Sequence, residues 1–300
     1  PMVRPLDDRR LVFFGGSTPR AGADYLVSDG AVYDIHSGSW EVIPETPLGL
    51  RDVVGTVFGQ DRLLAFGKDA RDRSYPATNR AYEFDFSTRT WEERSIPVPL
   101  RLGRFVAAVS TDSQTLLFYH PTDIDGIATI EYDQQLGIWG TPTTYEGIRI
   151  SETNSAAVVG RRIYFLARSP GHIFDLDSQS WHQLTIDYEL GVNSHHSSVS
   201  LRTAAAVGNQ LFVTGGFSSV RLYGWTIGKG GIFDSNTGAM LKKLSPSYSS
   251  PLAGAGAIGS KVVLWSGAAP SRGNGPWDQL DEAVNGISVY DLSTHKWECQ

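Results

Sequence analysis

The sequence predicts an all-β fold, a six-bladed β-propeller with four antiparallel strands in each blade. Three observations lead to this prediction. A short motif, in which an aromatic residue and Asp are followed by Trp, recurs along the 300 residues. A short apolar run precedes each copy, and a stretch of small residues precedes several of these runs. Recurrence at a fixed spacing is the sequence signature of repeat architectures, so each blade is identified from the repeat.

The motif sets the length of the repeat. From Trp40 to Trp297 there are 257 residues over five intervals, which is about 51 per repeat and matches one four-stranded blade. Met240 replaces the Trp in the fifth copy. The six copies span residues 32–40, 82–91, 130–139, 173–181, 232–240 and 289–297.

The apolar runs predict the second strand of each blade. They begin at Arg10, Arg62, Thr115, Arg162, Gln210 and Lys261. Short apolar runs between turn residues are typical of strands that are buried on both faces. The small residues at 155–159, 203–207 and 253–258 suit the innermost strands, because six such strands converge on one axis. The motif supplies the third strand, and its Trp opens the fourth.

A double Gly, a Tyr-Asp pair and a Trp at these spacings resemble the kelch family. The double Gly is degraded in blades two, three, four and six, which indicates a divergent member. The resemblance implies a single propeller domain over residues 1–300. Its blades are expected near residues 2–44, 52–97, 105–145, 155–187, 203–245 and 253–300.

The two ends of the chain carry a further expectation. Residues 2–6 align as the innermost strand of the first blade, which leaves about four residues for the outer strand of the sixth. Arg4 and Pro5 are poor residues for an axial strand, so a different pairing of the ends stays open. The five motif tryptophans are expected to be largely buried between blades, namely Trp40, Trp91, Trp139, Trp181 and Trp297.

Composition argues against several classes of function. The net charge is −6, with 26 Lys and Arg against 32 Asp and Glu and no basic run, so we expect no nucleic-acid partner. No stretch approaches eighteen consecutive apolar residues, so we expect no membrane span. Cys299 is the only cysteine, and the start lacks an apolar signal segment. These features predict a cytoplasmic, monomeric protein.

No cofactor is expected either. No Gly-rich phosphate loop follows a strand and opens a helix, which argues against nucleotide use. No His pair has the spacing of metal ligands, so no metal site is predicted. Cys299 lies too close to the C-terminus to supply the Cys–Tyr cross-link of the kelch-like copper oxidases.

Strand order locates the expected binding face. In a four-stranded blade, the turn between strands two and three opens on the same side as the connection to the next blade, which we call the mouth face. The turns on the opposite side are short, whereas the mouth-face segments are long and rich in functional side chains. Binding residues concentrate in such segments on a rigid scaffold. The long segments are residues 17–30, 68–80, 185–202, 217–231 and 268–286.

Candidate site residues fall in or beside these segments, and each has a plain structural alternative. Arginines could clamp an anion or a carbonyl group, or could pack between blades; they are Arg51, Arg104, Arg149 and Arg202. The catalytic candidates are Arg104, His195 and His196, and the two histidines could equally be solvated loop residues. Trp225 and Trp277, near Tyr223 and Asp278, could wall a ligand or only pack within their loops. Mouth-face carboxylates could do acid–base work or be solvated, and comprise Asp69, Asp72, Asp278, Asp281 and Glu282.

The expected function follows from the architecture and the family resemblance. Stand-alone propellers of plant and microbial metabolism include some that direct isomerisation, fragmentation or cyclisation of a reactive small molecule. The sequence therefore predicts that a small organic ligand binds at the mouth face, in a cofactor-free isomerase, lyase or cyclase of specialised metabolism. Two alternatives stay open, a protein-interaction scaffold with a protein partner and a carbohydrate-binding propeller.

Overall fold

The protein is described from a computed structural model. The described residues are 2–20, 23–59, 61–72, 78–96, 102–111, 114–150, 156–166, 170–186, 199–200, 203–214, 217–220, 223–226, 230–244, 254–265 and 287–299. Every regular element in these ranges is a β-strand, and they contain no helix of the length and apolarity needed to cross a membrane. The chain forms two compact units, Pro1–Arg149 and Ile150–Gln300, with three blades in each.

The first unit holds blades one to three. Blade one consists of β1 (Met2–Pro5), β2 (Arg10–Arg20), β3 (Ala23–Asp34) and β4 (Trp40–Ile43). Blade two consists of β5 (Leu50–Phe58), β6 (Arg62–Asp69), β7 (Asn79–Asp85) and β8 (Thr90–Arg94). Blade three consists of β9 (Leu102–Ser110), β10 (Gln114–Pro121), β11 (Gly126–Asp133), β12 (Ile138–Trp139) and β13 (Thr143–Glu146). Its outer strand is split, because β12 and β13 both pair with β11.

The second unit holds blades four to six. Blade four consists of β14 (Ala156–Val159), β15 (Arg162–Phe165), β16 (Gly171–Asp175) and β17 (Ser180–Leu184), and is followed by β18 (Val199–Ser200). Blade five consists of β19 (Thr203–Val207), β20 (Gln210–Thr214), β23 (Gly230–Asp234) and β24 (Met240–Leu244). Between its second and third strands lie β21 (Phe217–Val220) and β22 (Tyr223–Thr226). Blade six consists of β25 (Gly254–Ile258), β26 (Lys261–Trp265), β27 (Ile287–Asp291) and β28 (Lys296–Cys299).

Within each blade the strands follow one another as an antiparallel meander. This succession confirms the predicted all-β fold, a six-bladed β-propeller with four antiparallel strands per blade. The first strand is β1, in which Arg4 lies opposite Val12 and Pro5 opposite Leu11, as the alignment of the repeats predicts. The outer strand of the sixth blade, β28, has the expected four residues.

The second strands are buried on both faces, which explains their continuous apolar runs. Side chains alternate between the two faces of a strand, so successive residues pack into different clusters. Leu211 and Val213 pack toward blade four, whereas Phe212 packs toward blade six. In the first unit, Leu64 and Phe66 of blade two likewise pack against blade three.

The Asp of each motif builds the turn between the third and fourth strands. Asp34 Oδ1 accepts hydrogen bonds from the backbone N–H groups of His36 and Ser37 at 2.8 and 2.9 Å. Asp175 Oδ1 accepts the corresponding hydrogen bonds from the backbone N–H groups of Asp177 and Ser178 at 3.1 and 3.0 Å. The backbone hydrogen bond from Ser178, its side-chain hydroxyl and Arg162 lower the pKa of Asp175 to about 2. The motif Asp is therefore a turn-forming residue that accepts hydrogen bonds as a carboxylate.

The fourth residue after each motif Asp adopts a left-handed backbone conformation. Three of these positions are occupied by Gly and three by residues that bear a side chain. The six residues are Gly38, Arg89, Gly137, Gln179, Gly238 and His295. The turn thus has one backbone geometry in all six blades, although only half of the copies carry the residue that favours it.

The motif Trp lies directly opposite the aromatic residue that precedes the Asp. In the five blades that carry the Trp, the ring centroids of the pair are 4.7 to 5.0 Å apart. In the fifth blade Met240 lies opposite Phe233. The repeated aromatic–Asp–Trp pattern is therefore one structural unit, a tight turn closed by a cross-strand aromatic pair.

The expected burial of the motif tryptophans is confirmed for four of the five. Trp91, Trp139, Trp181 and Trp297 are mostly buried, whereas Trp40 is 45% exposed, so the expectation is wrong for Trp40 alone. Trp40 lies on the outermost strand of its blade, which has a side that faces solvent. The ring of Trp139 also reaches the preceding blade, where it lies 5.4 Å from that of Phe66.

Two mouth-face segments that the sequence places in loops contain regular strands. β2 and β3 continue as a hairpin up to the pairing of Arg20 with Ala23, so much of 17–30 is extended. β21 and β22 pair with each other inside 217–231, and β18, which lies before blade five, pairs with β21 to complete a small three-stranded sheet. β-Branched and aromatic residues such as Thr18, Tyr25 and Val220 favour strands, and this preference outweighs the Gly and Ser around them.

Candidate functional site

The described part of the mouth face lies mainly in the first unit. There the mouth-face ends of blades two and three are described in detail, so Arg51 and Arg149 can be placed with their side chains. For Arg104, Tyr223 and Trp225 the structure gives only the strand position, on β9 and β22. The remaining predicted site residues lie outside the described residues, namely His195, His196, Arg202, Trp277 and Asp278. Asp281 and Glu282 lie outside them as well.

Arg51 and Arg104 occupy equivalent ladder positions at the mouth face of the first unit. Arg51 lies opposite Lys68 in blade two, and Arg104 lies opposite His120 in blade three. In both blades, the count starts at the residue of the second strand that lies opposite the motif Asp. The sixth residue after it is the one that lies opposite the arginine. A bulge in each innermost strand accompanies this pairing. The repeat therefore places a basic residue at the same level of two adjacent blades.

Arg51 holds the mouth-face segment of its own blade. The half-buried side chain donates a hydrogen bond from Nη2 to the backbone carbonyl oxygen of Asp72 at 2.8 Å. Its Nε is buried and has no hydrogen-bond partner among the described residues. A guanidinium that donates to a backbone carbonyl stabilises a loop, and its remaining N–H groups can still meet a ligand.

The carboxylates beside Arg51 are also engaged in the fold. Asp69 is buried, accepts a hydrogen bond from the backbone N–H of Arg71 at 2.9 Å and pairs with Arg80 Nε at 2.8 Å. The Arg71 N–H and the Arg80 guanidinium lower the pKa of Asp69 below its ordinary value. Asp72 Oδ2 accepts hydrogen bonds from the N–H and hydroxyl of Thr78, both at 2.7 Å. An ionised, hydrogen-bonded carboxylate such as Asp69 is a poor general acid, and Asp72 is held by its hydrogen bonds to Thr78.

Arg149 forms an exposed ion pair. Its Nε lies 2.9 Å from Asp125 Oδ1, and its Nη2 contacts the other carboxylate oxygen. The Arg149 side chain is 77% exposed and that of Asp125 is 66% exposed. Exposed pairs contribute little to stability. The hydrogen bonds and charge of Asp125 raise the pKa of Arg149, so this arginine stays cationic at the rim.

His120 is a candidate that the sequence reasoning missed. It ends the second strand of blade three, and its Nδ1 lies 2.6 Å from the backbone carbonyl oxygen of Gly126. A carbonyl oxygen only accepts, so Nδ1 carries a proton, and the tautomer that this selects has its lone pair on Nε2. The repeat could have pointed to His120, because a histidine stands where three of the other blades have glycine. The equivalent positions of blades one, five and six hold Gly16, Gly216 and Gly267.

His172 is a histidine at the mouth face of the second unit, on the third strand of its blade rather than the second. It lies near the start of β16 at the mouth face of blade four, and it is half-buried. Burial lowers the pKa of His172 from its ordinary value, which favours the neutral ring. Its ring packs edge-on to Trp181 at 6.4 Å, and its buried Nδ1 has no hydrogen-bond partner within the described ranges. We interpret it as a packed histidine.

The described residues contain no cluster of three or more His, Cys, Asp or Glu side chains that could hold a metal ion. The chemistry they offer is that of a histidine whose Nδ1 is held by a backbone carbonyl and whose neighbour across the strand pair is an arginine. Such a set can move a proton and stabilise a negatively charged oxygen.

Comparison with known proteins adds no family. No protein-family model matches the chain, and no curated protein matches it. The six-bladed architecture therefore rests on the structure, and the kelch assignment remains a proposal.

Proposed function

We propose that the chain is a divergent kelch-type propeller that binds a small organic ligand at the mouth face and acts on it without a metal or cofactor. The observation that carries this proposal is the pairing of His120 with Arg104 across the inner hairpin of blade three. The Nδ1 hydrogen bond to Gly126 orients the imidazole, and Arg51 holds the equivalent position one blade earlier.

The reaction class we propose is a proton transfer, as an isomerase, lyase or cyclase of specialised metabolism uses. His120 Nε2 takes a proton from a carbon beside a carbonyl group, and the electron pair moves onto the carbonyl oxygen. An arginine stabilises that oxygen, and the imidazolium returns the proton at another position of the ligand. Positioning and electrostatic stabilisation suffice for such a step, so no co-reactant is needed.

The position of other candidates is compatible with this proposal. Tyr223 and Trp225 belong to the small sheet formed by β18, β21 and β22, which extends blade five beyond its second and third strands. Aromatic residues on such an extension suit an apolar or sugar-like ligand. The cytoplasmic location, the monomeric state and the absence of a nucleic-acid partner stay predictions.

The first experiment identifies the ligand. The purified protein is incubated with metabolite extracts, and the retained small molecules are identified by mass spectrometry. We expect a retained compound that is lost with Arg104→Ala and with Trp225→Ala, while the thermal midpoint of both variants stays close to the parent's. A retained oligosaccharide would instead indicate a carbohydrate-binding propeller. If no small molecule is retained and a polypeptide binds the mouth face, the interaction-scaffold alternative replaces the proposal.

The second experiment separates binding from chemistry once a ligand is known. His120→Asn places an amide N–H near the position of Nδ1 and so preserves the hydrogen bond to Gly126, but it removes Nε2. We expect His120→Asn to bind the ligand and to convert it about 10²- to 10⁴-fold more slowly. His182→Gln, an exposed histidine on the outer strand of blade four, is the control and should convert normally. Full activity of His120→Asn, or loss of activity on dialysis against EDTA, would contradict the mechanism.

A further inference from the structure

Arg4 differs from most of the described arginines in its bonding. It lies on β1, the innermost strand of blade one, opposite Val12. Its one hydrogen bond among the described residues runs from Nη1 to the carbonyl oxygen of its own neighbour Val3, at 3.1 Å. Nine other described arginines pair with carboxylates; they are Arg9, Arg10, Arg62, Arg80, Arg89, Arg94, Arg149, Arg161 and Arg162. No described carboxylate pairs with Arg4.

The surroundings of Arg4 are apolar. Met2, Val3 and Leu6 are buried beside it along the chain, and the Met2 sulfur packs close to Gly55 of β5. Burial lowers the pKa of Arg4 to about 10, which still leaves the guanidinium cationic at neutral pH. The side chain keeps partial contact with solvent, so an ion from solution can reach it. A cation in such surroundings is costly unless it is paired, and most of the guanidinium N–H donors have no acceptor among the residues that the structure describes.

We propose that Arg4 is the cationic centre of a binding site for a small oxyanion, a phosphate or a carboxylate, on the innermost strand of blade one. The planar fork of the guanidinium matches the two oxygens of such an ion. The site is distinct from the mouth face, because Arg4 pairs with the third residue of β2, close to the turn at 6–9 on the opposite side. It therefore does not rest on the function proposed above.

The experiment measures the thermal midpoint and the heat of binding with inorganic phosphate and, separately, with acetate. The ionic strength is held constant with chloride. For the parent we expect saturable phosphate binding and a midpoint that rises with phosphate concentration. Arg4→Met should show neither effect, and in phosphate-free buffer it should unfold at a higher temperature than the parent, because a partly buried charge that pairs with no described carboxylate has been removed. Arg9→Met, an exposed arginine of the same blade, is the control and should respond to phosphate as the parent does.

A second variant keeps the charge. Arg4→Lys retains the cation but loses the planar fork, so we expect phosphate binding at least about tenfold weaker than in the parent. A phosphate response of Arg4→Met or Arg4→Lys equal to the parent's would overturn the proposal. So would a parent protein that responds to neither phosphate nor acetate. A response to acetate alone would restrict the ligand class to carboxylates.

Discussion

The indole of Trp91 donates a hydrogen bond from Nε1 to the backbone carbonyl oxygen of Pro44 at 2.9 Å, which ties the second blade to the first. The same ring lies 4.9 Å from Phe84 of its own blade and 5.3 Å from Phe14 of the preceding blade. Trp91 therefore links neighbouring blades through a hydrogen bond and ring contacts at once, although part of its surface meets solvent.

This geometry sets the cost of removing the ring. Trp91→Ala should lower the free energy of unfolding by about 2–4 kcal/mol, somewhat less than a fully buried Trp would, because part of the ring is already solvated. Trp91→Phe keeps most ring contacts and loses the hydrogen bond to Pro44, so it should cost about 1 kcal/mol. Denaturant unfolding followed by circular dichroism measures both values.

Trp40→Ala is the matched control for Trp91→Ala. Trp40 occupies the same motif position, is 45% exposed and packs on Phe13 and Tyr33 of its own blade at 5.4 and 4.7 Å. Its removal should therefore cost less than that of Trp91. Equal unfolding midpoints for Trp91→Ala and the parent would contradict the role of this residue between blades.

The fold can be predicted from the sequence more fully than the site, and the reason is physical. The blades follow from local chemistry that repeats: Asp175 forms its turn with Ser178, and Phe174 faces Trp181 across the ladder, so the pattern is visible in the sequence. The site depends on which strand positions become opposite one another. The pairing of His120 with Arg104 needs the bulges of β9, which no spacing in the sequence reveals. The expected burial fails only for Trp40, which lies on an outermost strand with a side that faces solvent.

The buried carboxylate of Glu83 provides a prediction on pH. Glu83 Oε1 pairs with Arg62 at 2.8 Å, and its Oε2 accepts hydrogen bonds from Arg94 at 2.9 Å and from the Tyr132 hydroxyl at 3.1 Å. Burial alone would raise the pKa of Glu83, but Arg94, Tyr132 and Arg62 outweigh it and hold the pKa below the ordinary value. The carboxylate thus joins blades two and three.

Glu83→Gln should cost about 3 kcal/mol at pH 7, because it removes the buried carboxylate that faces both arginines and leaves them only their pairs with more exposed carboxylates such as Asp85 and Glu92. A lowered folded-state pKa contributes stability above the unfolded pKa of about 4.3, and this contribution is lost as the pH falls through the folded pKa. The difference between parent and Glu83→Gln should therefore narrow as the pH is lowered from 5 toward 3 (roughly the range in which a carboxyl titrates). Glu92→Gln, whose side chain is 67% exposed, should change stability by less than about 1 kcal/mol. If the stability difference between the parent and Glu83→Gln stayed constant with pH, the charge of Glu83 would not be the cause of that difference.

Gln179 offers a stabilising substitution. It occupies the left-handed turn position with φ of 50°, is exposed, and corresponds to Gly38, Gly137 and Gly238 of other blades. A side chain there is strained by about 1–2 kcal/mol, and the greater unfolded-state entropy of Gly offsets part of the gain. Gln179→Gly should therefore raise the free energy of unfolding by about 0.5–1 kcal/mol. An unfolding midpoint at or below the parent's would contradict this interpretation of the turn.

Gly38 and Gly238 separate backbone strain from steric conflict at the same turn position. Their φ angles are 70° and 71°, so an Ala at either site bears the same left-handed strain, about 1 kcal/mol. A Cβ at Gly38 would meet nothing within 4 Å, whereas at Gly238 it would lie 2.4 Å from the carbonyl oxygen of Thr185 and 3.2 Å from a methyl carbon of Leu184. Gly238→Ala must displace the backbone of the preceding blade and should cost a further 1–3 kcal/mol or so. Parallel denaturant titrations of the two variants measure the difference. Equal costs would mean that the turn of blade five does not pack against residues 184–185 as described.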